Sequence, residues 1–224
     1  MKAIILCAGR GTRLQPLTDT TPKTLLEVKG KPILDHILDE LPNDITEVFL
    51  VVDYLADVIK EHIQKLSYPF SITCVQQIPD KKGTLAALLS VKDYLKDGER
   101  FLIVNGDDLI KKYDLEKLLA YGRALAVQKT IMPRYYKVAT KDGLLESFNS
   151  QNEEEKIEGV PIATGSYVLD TRIFDFEPRL LTGNEIGIPQ TILDNKETYP
   201  THVVLFDSWI PINSKDDLDK VNNI

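Results

Sequence analysis

The apolar run 3–8 ends in Gly9-Arg10-Gly11-Thr12-Arg13-Leu14, a turn with two glycines and two arginines. Glycines let backbone N–H groups approach phosphate oxygens, so phosphate binding is the chemistry this turn suggests. A plain tight turn accounts for the glycines equally well. Two familiar phosphate loops fail on spacing. A dinucleotide fingerprint needs a third glycine where Leu14 stands, and a P-loop needs Gly-Lys-Ser/Thr after four spacer residues, which follows neither Gly9 nor Gly11. Further on, Asn105-Gly106-Asp107-Asp108 closes another apolar run. Carboxylate oxygens there suit a hard divalent cation, and taken alone they also suit an ordinary turn.

Such residues must be held by a sheet. Short apolar runs rich in β-branched residues, at 3–8, 47–52, 71–75 and 101–104, predict buried strands. Between them, 33–41, 55–66 and 85–95 carry apolar residues at three- and four-residue intervals and predict helices. This alternation predicts a mainly parallel sheet covered on both faces, with the turn after the first strand on the ligand-binding edge. After Asp107 the pattern changes to strands at 125–132, 136–140, 144–148 and 162–169 with few helices between, which predicts an antiparallel excursion. The acidic stretch 149–158 reads as an exposed loop, and Ser214-Lys-Asp-Asp217 as the capped start of a last helix through Val221.

The fold class expected is therefore α/β: one doubly wound, Rossmann-like mixed sheet over residues 1–224, a single domain. Acidic residues outnumber Lys and Arg, 34 to 27, for a net charge of −7. That balance disfavours nucleic acid and anionic membrane as partners and leaves phosphate binding to locally placed cations. The run 3–8 is too short for a signal peptide or a membrane span, and Cys7 and Cys74 have no metal-ligand spacing, so a reduced, cytoplasmic location is expected. His36, His62 and His202 are scattered and read as structural, Cys7 as a small buried residue beside the loop.

Read whole, the segment AGRGTRLQPLTDTTPK over 8–23, continuing into Val28-Lys-Gly-Lys-Pro32, closely resembles the signature of the sugar-phosphate nucleotidyltransferases. That family includes glucose-1-phosphate thymidylyltransferases and mannose-1-phosphate guanylyltransferases. The resemblance implies a reaction in which a substrate phosphate oxygen attacks the α-phosphorus of an NTP and pyrophosphate leaves. Such chemistry needs cations and Mg²⁺ to position crowded phosphates, and no enzyme nucleophile. By the same match, Arg13 grips the triphosphate with its planar fork, Lys23 approaches the reacting phosphates, and Arg10 stays a surface charge. The catalytic set is Arg13, Lys23 and Asp107, with Leu6, Ala8, Gly9, Gly11 and Thr12 around the nucleotide.

The stretch 75–87 resembles the family's base-recognition segment, in which a glutamine reads the base edge and a glycine packs beneath it. Gln77 is the expected reader with Gly83 and Thr84 beside it, and Gln76 is the alternative because the step from Gln77 to Gly83 is one residue longer than usual. Asp107 matches the family's metal-binding aspartate. Asn105, Thr164 and Gly165 fall on the acceptor side. Three departures stand out: Tyr136 replaces a glycine after Arg134-Tyr135, Glu155-Lys156 lies away from the usual Glu-Lys place, and the closing Trp209-Ile-Pro-Ile-Asn213-Ser214 lacks the second metal-binding aspartate. That carboxylate would fall at Pro211 or Asn213; Asn213 is the expected second ligand, more weakly, with Asp207 as a substitute.

The resemblance implies NTP and a small phosphorylated acceptor, a sugar 1-phosphate first, as partners, and is compatible with a homo-oligomer. The chain is expected to be the bare catalytic module, without a hexapeptide-repeat extension. Two other readings remain open: a cytidylyltransferase using an acceptor such as phosphocholine, and a nucleotide-sugar sensor that has lost turnover.

Overall fold

The first strand is almost wholly buried, because Lys-Ala-Ile-Ile-Leu has a strand on either side and a packed layer on both faces. The computed structural model describes residues 1–79, 81–130, 137–149 and 159–223. The first half runs β1 (Lys2–Leu6), β2 (Glu27–Val28), β3 (Lys31–Pro32), α1 (Ile33–Asp39), β4 (Glu47–Val52), α2 (Ala56–Ile63), β5 (Ser71–Gln76), α3 (Thr84–Leu89) and β6 (Arg100–Asn105). There follow β7 (Asp108–Ile110), α4 (Lys112–Leu119), β8 (Ala124–Lys129), β9 (Lys137–Lys141), β10 (Leu144–Asn149) and β11 (Pro161–Asp170). The chain continues through α5 (Ile188–Asp194), β12 (His202–Leu205), β13 (Trp209–Pro211) and α6 (Lys215–Asn223).

Among the described residues nine strands form one mixed sheet in the order β5-β4-β1-β6-β11-β8-β12-β10-β9. The pairs β5–β4, β4–β1 and β1–β6 are parallel, whereas β11 runs antiparallel to both β6 and β8. Side chains alternate across the parallel half. Ala3, Ile5, Leu50 and Leu102 meet Leu34 of α1 and Leu115 of α4, while Ile4, Phe49, Phe101 and Ile103 meet Leu85 of α3 and Ile192 of α5. Each fully buried Leu, Ile or Phe adds roughly 1.5–3 kcal/mol. Covering both faces thus explains why these strands read as continuous apolar runs rather than as alternating ones.

The four expected strands of the first half are present, and β8, β10 and β11 fall where the later strands were expected. Residues 131–136 and 150–158, which include the expected end of one strand, the start of the next and the acidic loop, lie outside the described residues. The helices differ more. That expected over 85–95 stops at Leu89 and resumes as a 3₁₀ turn, Lys92–Tyr94. Ser90 Oγ bonds back to Ala86 O and accepts Ile78 N–H, a local alternative to the helical ladder. α4 and α5 were not expected. The first is mostly polar, and the second carries Pro189 in its opening turn, a place where proline starts a helix rather than breaking one.

One buried carboxylate ties α4 to the segment that leads to Asn213. Asp114 is fully buried and accepts hydrogen bonds from Asp207 N, Ser208 N, Ser208 Oγ and Lys117 Nζ. Burial pushes its carboxyl up, but the bonds from Lys117 and Ser208 outweigh that and hold it below the usual carboxylate range. A carboxylate lowered in this way stabilises the fold above its unfolded pKa, and the contribution fades as pH falls through the folded value. Asp114→Asn is expected to cost about 2–4 kcal/mol in urea titrations at neutral pH, with the gap to wild type closing below about pH 4. A gap unchanged by acid would show that the charge is not what holds the turn.

Candidate active site

In the parallel half the chain winds outward from β1 through β4 to β5, then returns to place β6 on the other flank of β1. Where strand order reverses, the carboxyl ends of neighbouring strands part and leave a crevice. The two ends are joined at its floor by Gly106 N donating to Leu6 O at 3.0 Å. Above them opens a cavity of about 530 Å³. Of the residues singled out from the sequence, Leu6, Ala8, Gly9, Lys23, Gln77, Gly83, Thr84, Asn105 and Asp107 line it.

Four of the expected residues meet at one place. Lys23, 8% exposed, directs its ammonium to Asp107 Oδ2 and, at 3.1 Å, to Asn213 Oδ1. Arg13 Nη2 reaches the same Asn213 oxygen at 3.1 Å from a different loop, 200 positions away. A buried ammonium needs such partners, since an unpaired one would cost several kcal/mol. Asn213 is itself held by the start of α6. Asp217 Oδ2 accepts the N–H groups of Asn213 and Ser214 at 3.0 and 2.9 Å, and Ser214 Oγ accepts Asp217 N–H at 3.2 Å, so the expected capping box is formed.

The donors here are a carboxylate and an amide carbonyl, both hard oxygens. Among the described residues no three His, Cys, Asp or Glu side chains gather as a metal cage. This set fits an ion such as magnesium, which keeps several waters and takes other ligands from phosphate. Asp207, the alternative ligand, does not line the cavity: it pairs with Lys117 at 2.6 Å, and its side chain is 67% exposed.

At the far side of the crevice Gln76 and Gln77 part company. Gln76 Nε2 donates to Asp53 Oδ1 at 3.0 Å, while Gln77 lies on the cavity wall with its Nε2 on Lys81 O. Gly83 has φ of 95°, and a side chain there would collide with Ile186 O. That close approach is a backbone staple. Ile186 N donates to Lys82 O and Leu85 N to Ile186 O, at 2.9 and 3.1 Å, and Thr84 Oγ1 accepts Ile188 N–H.

Some expected residues stand elsewhere. Gly11, Thr12 and Arg13 are not on the cavity wall: Thr12–Leu14 is a 3₁₀ turn at the surface, and Gly11 packs against Lys23 and Thr18. Arg13 joins the cluster only through Asn213. Thr164, 2% exposed, points its hydroxyl to Ala126 O at 3.3 Å, and Gly165 lies behind Asn105 rather than on the wall. The stretches 134–136 and 155–156 lie outside the described residues. The histidines take the structural places expected of them: His36 on Val28 O, His62 on Asp35 and His202 against Tyr121.

Asp108, 2% exposed, points away from solvent. Burial first, then the charge of Asp107, pushes its carboxyl well above the usual range, against hydrogen bonds from Asn105 and Trp209 and the charge of Lys23. Burial likewise raises the Cys7 thiol, with Cys74 and Asp107 adding to it, which leaves a neutral packing residue and no nucleophile.

The wall also holds residues the sequence reading passed over or set aside. Arg10, taken there as a plain surface charge, lines the cavity and stands 5.1 Å over the Tyr54 ring. Asp53 follows β4 at the carboxyl edge of the sheet, a position that alone marks it as a ligand-side residue. Lys82 and Glu185 pair as an isolated bridge at the rim, and nothing local in the sequence announces Glu185.

A bifunctional GlmU protein of Methanocaldococcus jannaschii is 36% identical over 175 residues, covering 78% of this chain and 41% of that one. A mannose-1-phosphate guanyltransferase of Schizosaccharomyces pombe is 30% identical over 207 residues, covering 91% and 56%. The chain thus spans about half the length of the curated relatives it matches. A UDP-glucose pyrophosphorylase solved with UDP-glucose superposes with a TM-score of 0.83 over 99% of this chain and 97% of that one, at 19% identity, and so shares the fold. Residues 2–185 match the pattern described as nucleotidyl transferase, and on that match the chain belongs to the nucleotidyl transferase family.

Proposed function

We propose that residues 1–224 form one doubly wound, Rossmann-like catalytic unit that transfers a nucleoside monophosphate from an NTP to a sugar 1-phosphate, releasing pyrophosphate. The observation that carries this reading is the meeting of Arg13, Lys23, Asp107 and Asn213 at the mouth of the strand-order crevice. Two cations there face one carboxylate, so the cluster is locally positive in a chain of net charge −7. Such a surplus suits a ligand richer in negative charge than the protein around it. Relatives named for mannose-1-phosphate support a sugar phosphate as the acceptor. The setting is cytoplasmic, with no nucleic acid or membrane partner.

The chemistry needs no protein nucleophile. An oxygen of the acceptor phosphate bonds to the α-phosphorus, the bond to the bridging oxygen breaks, and that electron pair leaves with pyrophosphate. Lys23 and Arg13 hold the crowded phosphate oxygens and offset charge on the departing group. Gln77, with both donor and acceptor on its amide, reads the base edge above Gly83. Asp107 and Asn213 would hold a magnesium ion, which would supply further charge neutralisation at the phosphates.

A matrix of NTPs against sugar 1-phosphates, read by pyrophosphate release and product mass, is expected to yield a nucleotide sugar from at least one pair. Tight nucleotide binding with no release from any pair would overturn the enzyme reading in favour of a sensor, and a product built on phosphocholine would replace the sugar acceptor. Arg13→Ala should lower kcat/KM by about 10²–10³-fold without a change in circular dichroism. Turnover close to wild type would remove Arg13 from the site. Asp107→Asn should move the magnesium titration of activity to concentrations about tenfold higher or more, and an unmoved titration would place the ion elsewhere.

A further inference from the structure

An exposed carboxylate on the wall of a crevice that receives phosphates needs a physical reason, because the two repel each other. Asp53 is such a residue: it lines the cavity one position past β4 and is exposed. Gln76, the last residue of β5, donates its Nε2 to Asp53 Oδ1 at 3.0 Å. A carboxylate only accepts hydrogen bonds, so the amide nitrogen is the atom that must face it. Among the described residues no lysine or arginine pairs with Asp53, and its Oδ2 accepts no hydrogen bond. Arg10, on the same wall, stacks over Tyr54 instead, and the Tyr54 hydroxyl is held on Asp19 O at 2.9 Å. What Asp53 Oδ2 can take is a donor, so its complement on a nucleotide is a hydroxyl or a base N–H group and not a phosphate.

Strand order decides between the two. In the order β5-β4-β1-β6, Gln77 follows β5, the glycine turn follows β1 and Asp107 follows β6, so β4 lies between the base reader and the phosphates. Two strand spacings, about 10 Å, separate β5 from β1. A nucleotide with its base on Gln77 and its phosphates at the turn must cross that gap, and the group that joins base to phosphate is the ribose. The ribose therefore passes the end of β4, where Asp53 stands. The bond from Gln76 draws the carboxylate toward β5, the base side, and the ribose hydroxyl nearest the base is the 2′-hydroxyl. In dinucleotide folds an acidic side chain likewise takes this hydroxyl.

We propose that Asp53 is a specificity-determining residue that accepts the ribose 2′-hydroxyl and so selects ribonucleoside over 2′-deoxyribonucleoside triphosphates, with Gln76 as the positioning residue that orients its carboxylate. This rests on the transferase reading above for where base and phosphates lie. It separates the tasks of two adjacent glutamines: Gln77 faces the base, and Gln76 acts on the ribose through Asp53. A site built to hydrogen-bond a hydroxyl discriminates against the analogue lacking it, because its own polar group then loses its partner.

The test titrates wild type, Asp53→Ala and Gln76→Leu with GTP, ATP, CTP and UTP in magnesium chloride by calorimetry, then with the 2′-deoxy and 3′-deoxy forms of the tightest of the four. Turnover of the same nucleotides with the best sugar 1-phosphate of the matrix gives kcat and KM, and thermal unfolding of each protein is the control. Loss of the 2′-hydroxyl is expected to weaken binding to wild type about tenfold or more and binding to Asp53→Ala at most about twofold. In turnover the difference should fall on the nucleotide KM, with acceptor KM unchanged. Gln76→Leu, which frees the carboxylate to turn, should narrow the 2′ preference without lowering the unfolding temperature, since both side chains are exposed. A wild type indifferent to the 2′-hydroxyl, a preference kept in full by Asp53→Ala, or a penalty that follows the 3′-hydroxyl instead would each overturn the inference. Wild type that prefers the ribonucleotide in binding but releases no pyrophosphate from any pair would sink the transferase reading and leave the ribose contact standing. Binding of none of the nucleotides would overturn both.

Discussion

A lysine ammonium that is 8% exposed cannot stand alone, and the site is organised around giving Lys23 its partners. One is the carboxylate of Asp107, just past β6; the other is the neutral carbonyl of Asn213, just ahead of α6. Because Asn213 carries no charge, Arg13, which shares its oxygen, is not neutralised there. A carboxylate at 213 would bind both cations more tightly and cancel the local surplus. The amide orients the same two cations and leaves their charge available to a ligand. An amide carbonyl also attracts a divalent cation less strongly than a carboxylate does.

Bringing those residues together depends on topology more than on loops. Asp107 is placed by β6, which Gly106 N–H joins to β1 at Leu6 O. Asn213 is placed from two sides: Asp217 holds its N–H as part of the α6 cap, and Asp114 anchors the turn at 207–208 that feeds β13. β13 in turn pairs with β7, whose first residue is Asp108. The path from Asp107 to Asn213 therefore runs through hydrogen bonds whose buried members, Asp108 and Asp114, would be costly to leave unpaired.

How much of this could be read in the chain follows from where each residue gets its position. β1, β4, β5 and β6 were legible because a strand covered on both faces writes itself as an unbroken apolar run. Arg13, Lys23 and Asp107 stand at the ends of such runs or within a recognisable loop, so their neighbourhood was legible too. α4 was not: its apolar positions are few, since much of what anchors it is the buried charge of Asp114. Glu185 reaches the cavity beside the backbone staple of Ile186 to Lys82 and Leu85, an interaction that uses no side-chain pattern. Thr164 was placed on the acceptor side by resemblance, yet a sheet residue whose neighbours alternate inward and outward turned it to Ala126 O.

The same distinction separates what this fold holds constant from what it can vary. The carboxyl ends of β1 and β6, which border the crevice, are fixed by the sheet and cannot shift without unpairing the core. The loop after β5 is clamped against 186 at Gly83, where no side chain fits. β11, by contrast, approaches antiparallel from the second half of the chain and meets β6 at Tyr167–Asp170. Gly165 of β11, with no room for a side chain beside the Asn105 amide, is a point at which the two halves of the chain fit together.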